Sequence, residues 1–93
     1  MVRVHKMGYF NIYSDKKGHY IVHNTRKEFK DGHTHVDNYK TAKFICSTVL
    51  NKRIPEAKIG KYLIISLVRV SDSKTYTRKL KNKFYHLIGD DEI

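Results

Sequence analysis

Four histidines and a surplus of lysine and arginine are the residues of this chain with most chemical potential. His33 and His35 stand two apart in "GHTH", and His19 and His23 stand four apart in "HYIVH". On a strand, even spacings put side chains on one face, so each pair projects together. If the two strands pair, all four imidazoles share one side of a sheet, and zinc, nickel or copper accepts such ligands. His19, His23, His33 and His35 are therefore the candidate metal ligands. The competing expectation is four polar residues on a solvated face. No cysteine pair, H-E-x-x-H or carboxylate cluster accompanies them, and Asp31 and Asp37 sit at turn and cap positions. The string "GHTH" also occurs in metal-dependent phosphoesterases, but those need further Asp, Asn and His clusters that this chain lacks.

Other enzyme templates are missing as well. There is no G-x-S-x-G elbow, no glycine-rich phosphate loop and no pair of acids in a shared apolar setting. The single cysteine, Cys46, lies among Phe44, Ile45, Val49 and Leu50, which predicts a buried, inert thiol in a reducing compartment. The expectation is a non-enzymatic protein without a cofactor.

Charge points to a partner. The chain of 93 residues carries 19 Lys and Arg against 9 Asp and Glu, a formal net charge of +10. Asp90, Asp91 and Glu92 lie in the acidic tail, residues 90–93, so 19 bases face six acids in the remainder, a body of +13. Such a field attracts polyanions, with nucleic acid first among them. The candidate contacts are Lys16 and Lys17 in one turn, Arg26, Lys27 and Lys30 in "RKEFK", and Lys74, Arg78, Lys79, Lys81 and Lys83 near the C-terminus. Tyr9 and Tyr13, on a strand face, are placed to stack on bases or to pack beside a phosphate backbone.

These groups need elements to hold them. "GYFNIYSDKKGHYIVHN" predicts a β-hairpin: Phe10 and Ile12 alternate with polar neighbours, as do Tyr20 and Val22, and "SDKKG" supplies the turn. A third strand, His33 to Val36, with Thr34 and Val36 facing the core, completes an antiparallel meander. Asn38 or Thr41 then caps a helix whose Ala42, Ile45, Cys46, Val49 and Leu50 form one apolar face. In "IPEAKIGKYLIISLVRVS" the stripe Ile59, Tyr62, Leu63, Leu67 and Val70 predicts a second helix with Pro55 in its first turn, a buried strand being the alternative over residues 59–70. Ser73 caps a third helix with the stripe Tyr76, Leu80, Phe84, Leu87 and Ile88, stopped by Gly89. The expectation is one α+β domain over residues 1–89, a three-stranded antiparallel meander followed by three helices packed on one face.

A three-stranded sheet followed by a helix is also how plant AP2-type domains present a sheet to the DNA major groove. "HTHVDNYKTAKFI" follows their strand–turn–helix rhythm without the tryptophans and arginines that read bases. Over Gly18 to Leu80, and most closely in "GHTHVDNYKTAK", the chain resembles small uncharacterised proteins of phages, prophages and mobile elements of low-GC Gram-positive bacteria. That resemblance implies a setting in the bacterial host cytoplasm. It also implies an alternative function, inhibition of a host defence protein, including anti-CRISPR action, by protein–protein binding. The partners expected are thus nucleic acid, a host protein or a ribonucleoprotein. The longest apolar window, "YLIISLV", is far short of the ~20 residues that cross a bilayer.

Overall fold

The N-terminal part of the chain forms a sheet of four strands: β1 (Val2–Met7), β2 (Phe10–Ser14), β3 (Tyr20–Asn24) and β4 (His33–Val36). All neighbours are antiparallel, in the order β1-β2-β3-β4. The structure, a computed structural model, describes residues 1–89; the acidic tail expected at 90–93 lies outside them. Helices α1 (Tyr39–Leu50), α2 (Lys61–Val70), α3 (Lys74–Lys83) and α4 (Tyr85–Ile88) follow.

The first strand corrects the expected three-stranded sheet. Its valines announce little, because Val2 and Val4 are 66% and 45% exposed at the sheet edge. A bulge between Arg3 and His5 further breaks the alternation. What docks it is the two-residue connection Gly8-Tyr9, with Met7 opposite Phe10 and Gly8 at φ 57. Glycine leading a two-residue loop is a favoured hairpin geometry.

Phe10 and Ile12 of β2, Val22 of β3 and Val36 of β4 turn to one side and are buried. On that side α1 lays Ala42, Ile45, Cys46 and Val49, and α2 adds Ile64, Leu67 and Val70. A buried hydroxyl pair, Thr34 Oγ1 and Ser66 Oγ at 2.9 Å, satisfies the polar atoms that β4 and α2 bring into this layer. Asn38 is the cap of α1, its Oδ1 accepting from the Thr41 amide at 2.8 Å. Thr41 lies inside the helix.

The helical half departs from expectation in three ways. First, α2 starts at Lys61 behind Gly60, and Pro55 lies in the preceding loop, which turns through an Ile59 N–H to Glu56 carbonyl bond. Glycine tolerates poorly the helix interior that the longer helix would have required. Second, the apolar stripe of α2 is rotated: Ile64 and Val68 are buried, whereas Tyr62 is 61% exposed. Third, the final helix divides at Phe84, whose φ of −108° leaves the α region so that its ring can enter the core. Helices α1 and α2 cover the sheet, and α3 and α4 pack on α2 as a further layer. Among the described residues no helix is long and apolar enough to cross a membrane.

Candidate nucleic-acid interface

The loop between β3 and β4 is bound to the C-terminal end of α2, where backbone carbonyls lack helical partners. Asn24, fully buried, donates through Nδ2 to the Val70 carbonyl at 2.8 Å and accepts from the Arg26 amide at 2.9 Å. Lys27 Nζ donates to the carbonyls of Arg69 (3.0 Å) and Ser71 (3.3 Å). A cation is favourable there, facing the negative end of the helix dipole. Gly32 leaves room for this packing, since a Cβ on it would stand 2.6 Å from Lys27 Cβ. Lys27, expected as a nucleic-acid contact, is thus held by the fold itself.

Arg26 is likewise engaged. Its guanidinium lies over the Tyr9 ring, 3.9 Å from the centroid, and pairs with Asp72 at 3.7 Å. Tyr9 belongs to the β1–β2 turn, not to the strand face expected for it. Burial, and then the Asp72 charge, raise its phenol above the usual range, while Arg26 opposes them.

Helix α3 carries five basic residues. Ser73 caps it, accepting from the Tyr76 amide at 3.3 Å, and Tyr76 and Leu80 anchor it to the interior. Lys74, Arg78 and Lys81, at i, i+4 and i+7, then share one face. With Tyr85 they line a groove of about 810 Å³ whose other wall includes Lys27 and Asp72. No acid occurs between Lys74 and Lys83. Lys79 is exposed on the same helix but outside the groove. Lys83 turns away, donating to the Pro55 carbonyl at 2.6 Å with its Nζ 5.4 Å from the Phe84 ring centre.

The uncovered sheet face carries the histidines. His23 and His33 are direct cross-strand partners, and His35 sits opposite Ile21. Ile21, only 5% exposed although outside the main core, is covered on this side by its neighbours. Phe29 folds back from the loop and stacks on His33 at 4.3 Å and 8°, with His23 at 5.2 Å from the same ring and His35 at 5.1 Å from His33. One ring nitrogen of His23 bonds the Lys27 carbonyl at 3.0 Å, and Nδ1 of His33 bonds the Phe29 carbonyl. His19 precedes β3 and lines a separate small groove with His35 and Tyr62. Among the described residues no group of three or more His, Cys, Asp or Glu side chains is placed to hold a metal ion. The stack with Phe29 depended on the loop's path, and nothing in residue spacing could have revealed it.

Tyr13 does lie on the open face, its hydroxyl accepting from Asn11 Nδ2 at 3.2 Å. Lys16 and Lys17 project from the β2–β3 turn. That turn is organised by Asp15, whose Oδ1 accepts from the Lys17 amide (2.8 Å) and the His19 amide (3.1 Å). The Lys17 bond is the main reason the Asp15 carboxyl is held below its ordinary value. This turn is at the end of the strands opposite the β3–β4 loop, where Lys30 is exposed. The expected basic set therefore splits, and only Lys27, Lys74, Arg78 and Lys81 come together.

Of these, Lys74, Arg78 and Lys81 can hold phosphates, and Tyr85 has an exposed ring beside them. Cys46 does not suit nucleophilic chemistry at neutral pH: it is fully buried, and burial pushes its thiol up to about 12. No protein-family model, curated protein or solved structure matches this chain.

Proposed function

We propose that the chain is a small basic, non-enzymatic protein that binds nucleic acid along α3. The observation that carries this reading is the alignment of Lys74, Arg78 and Lys81 beside Tyr85 in one groove, on a helix with no acid. Three cations along one helix face track a phosphate backbone, and an adjacent aromatic ring adds sequence-tolerant stacking. In the phage-type setting that the resemblance implies, the polyanion is host nucleic acid or a host ribonucleoprotein.

The test is a mobility-shift titration with duplex DNA, single-stranded DNA and RNA across a salt series. Each neutralised phosphate contributes about −0.9 to the slope of log K against log salt on duplex DNA. Replacing Lys74, Arg78 and Lys81 together by Gln should flatten that slope by about 2–3. Replacing Lys16 and Lys17, at the far end of the sheet, should leave it unchanged. Failure to bind any of the three probes at low salt, or a triple variant that binds as the parent does, overturns the reading.

A further inference from the structure

Helix α1 buries Ala42, Ile45, Cys46 and Val49, yet Phe44 points away from that core and is 43% exposed. It does not stand alone. Ile54, Ile59 and Leu63, from the segment between α1 and α2 and the first turn of α2, line with it and with Met7 a groove of about 1000 Å³. Leaving apolar surface in water is unfavourable in proportion to its area, and an apolar cleft edged by polar groups is the usual form of a binding site. Among the described residues the charged lining is mainly basic: Lys40, Lys43, Arg53 and Lys58 against Glu56. This groove shares no lining residue with the one beside α3.

We propose that this groove docks an acidic amphipathic segment of a partner protein. The segment would place aliphatic or aromatic side chains on the Phe44–Ile59–Leu63 floor, with Asp or Glu flanking them toward the lysines. Its concave, largely aliphatic floor suits the apolar ridge of a helix, the arrangement of helix-in-groove recognition. The four rim cations select against basic partners and steer acidic ones. Nucleic acid fits less well, because bases stack on flat rings and, among the described residues, Phe44 is the one aromatic side chain in this groove. A membrane fits less well again, since insertion needs apolar groups that protrude. The inference is independent of whether α3 binds nucleic acid.

A helix-favouring peptide of about 15 residues serves as the probe. It carries Leu or Phe at i, i+3, i+4 and i+7 and Glu over the remaining face; a second peptide has Lys in place of every Glu. Backbone amide shifts of the full chain are followed during titration. The acidic peptide should perturb Met7, Phe44, Ile54, Ile59 and Leu63, and the lysine peptide should not. Phe44→Ala, on an exposed helix position, should weaken binding at least tenfold while the far-ultraviolet spectrum is retained. Lys40→Glu with Lys43→Glu, which leaves the floor intact, should weaken it similarly. Three outcomes overturn the proposal: no perturbation of these residues at about 1 mM acidic peptide, equal binding of both peptides, or an affinity indifferent to both variants. Perturbation of the groove by an oligonucleotide or by anionic vesicles but not by the acidic peptide would also overturn it.

Discussion

The amide of Asn24 donates to the carbonyl of Val70 at 2.8 Å, joining the end of the third strand to the end of the second helix across 46 positions of sequence. Its other side-chain atom accepts from the Arg26 amide, so one fully buried residue satisfies a helix terminus and opens the β3–β4 loop in the same place. Lys27, three residues on, bonds the carbonyls on either side of Val70. The wall of the α3 groove is therefore built by the packing of the sheet loop on α2, and groove shape and fold stability are coupled.

Asn24→Ala should destabilise the protein by about 1–3 kcal/mol, because it leaves the Val70 carbonyl and the Arg26 amide without their partner. Asn24→Asp should be at least as harmful, since it removes the donor and brings a carboxylate against a carbonyl in a buried site. Urea unfolding of the two variants checks this. A loss below about 0.5 kcal/mol for both would mean that the loop re-forms its bonds elsewhere.

The sequence made β2, β3, β4, α1 and the Ser73 cap legible because local rules decide them: strict alternation, an Asx or Ser cap, and a single apolar stripe. Elsewhere the deciding contacts are distant. The edge strand β1 leaves its valines in solvent, so its pattern never stood out from a polar terminus. In α2 the continuous run "YLIISLV" fits several helical phases, and only docking on β4 and α3 selects the one that buries Ile64 and Val68. The candidate site behaves alike. Lys74, Arg78 and Lys81 were readable from helical spacing, but Lys27 looked equally free, its partners lying 42 and 44 positions away.

Lys52→Gly should raise stability by about 0.5–1 kcal/mol. Lys52 ends α1 at φ 50, the one non-glycine residue with positive φ among those described. Its amide bonds the Val49 carbonyl (3.1 Å) and the Arg53 amide bonds the Thr48 carbonyl (3.0 Å), the paired bonds of a Schellman stop. That position strongly favours glycine, and the exposed Lys52 side chain takes no part in the motif's two bonds. Lys52→Ala is the control: it removes the same charge without relieving the backbone, so it should show no gain in thermal or urea unfolding.

The buried thiol makes stability fall as the solution becomes alkaline. Cys46 in the folded protein is pushed up to about 12 by burial, whereas in the unfolded chain it ionises near its reference value of 9.0. Between those values the unfolded state gives up a proton that the folded state keeps. Unfolding is then favoured by rising pH, with a slope approaching about 1.4 kcal/mol per pH unit. Tyr76, also raised to about 12 by burial, and Tyr9, raised as well, add to this as the pH nears their reference of about 10, and comparison with Cys46→Ala, which keeps both phenols, isolates the thiol. Urea unfolding at pH 7, 8.5 and 10 should show the parent protein losing about 1.3 kcal/mol more over the upper interval than Cys46→Ala does. The variant begins from a lower stability because it leaves a small cavity, and the two curves should converge as pH rises. Parallel curves would mean that the thiol ionises equally in both states, which is incompatible with its place on the buried face of α1.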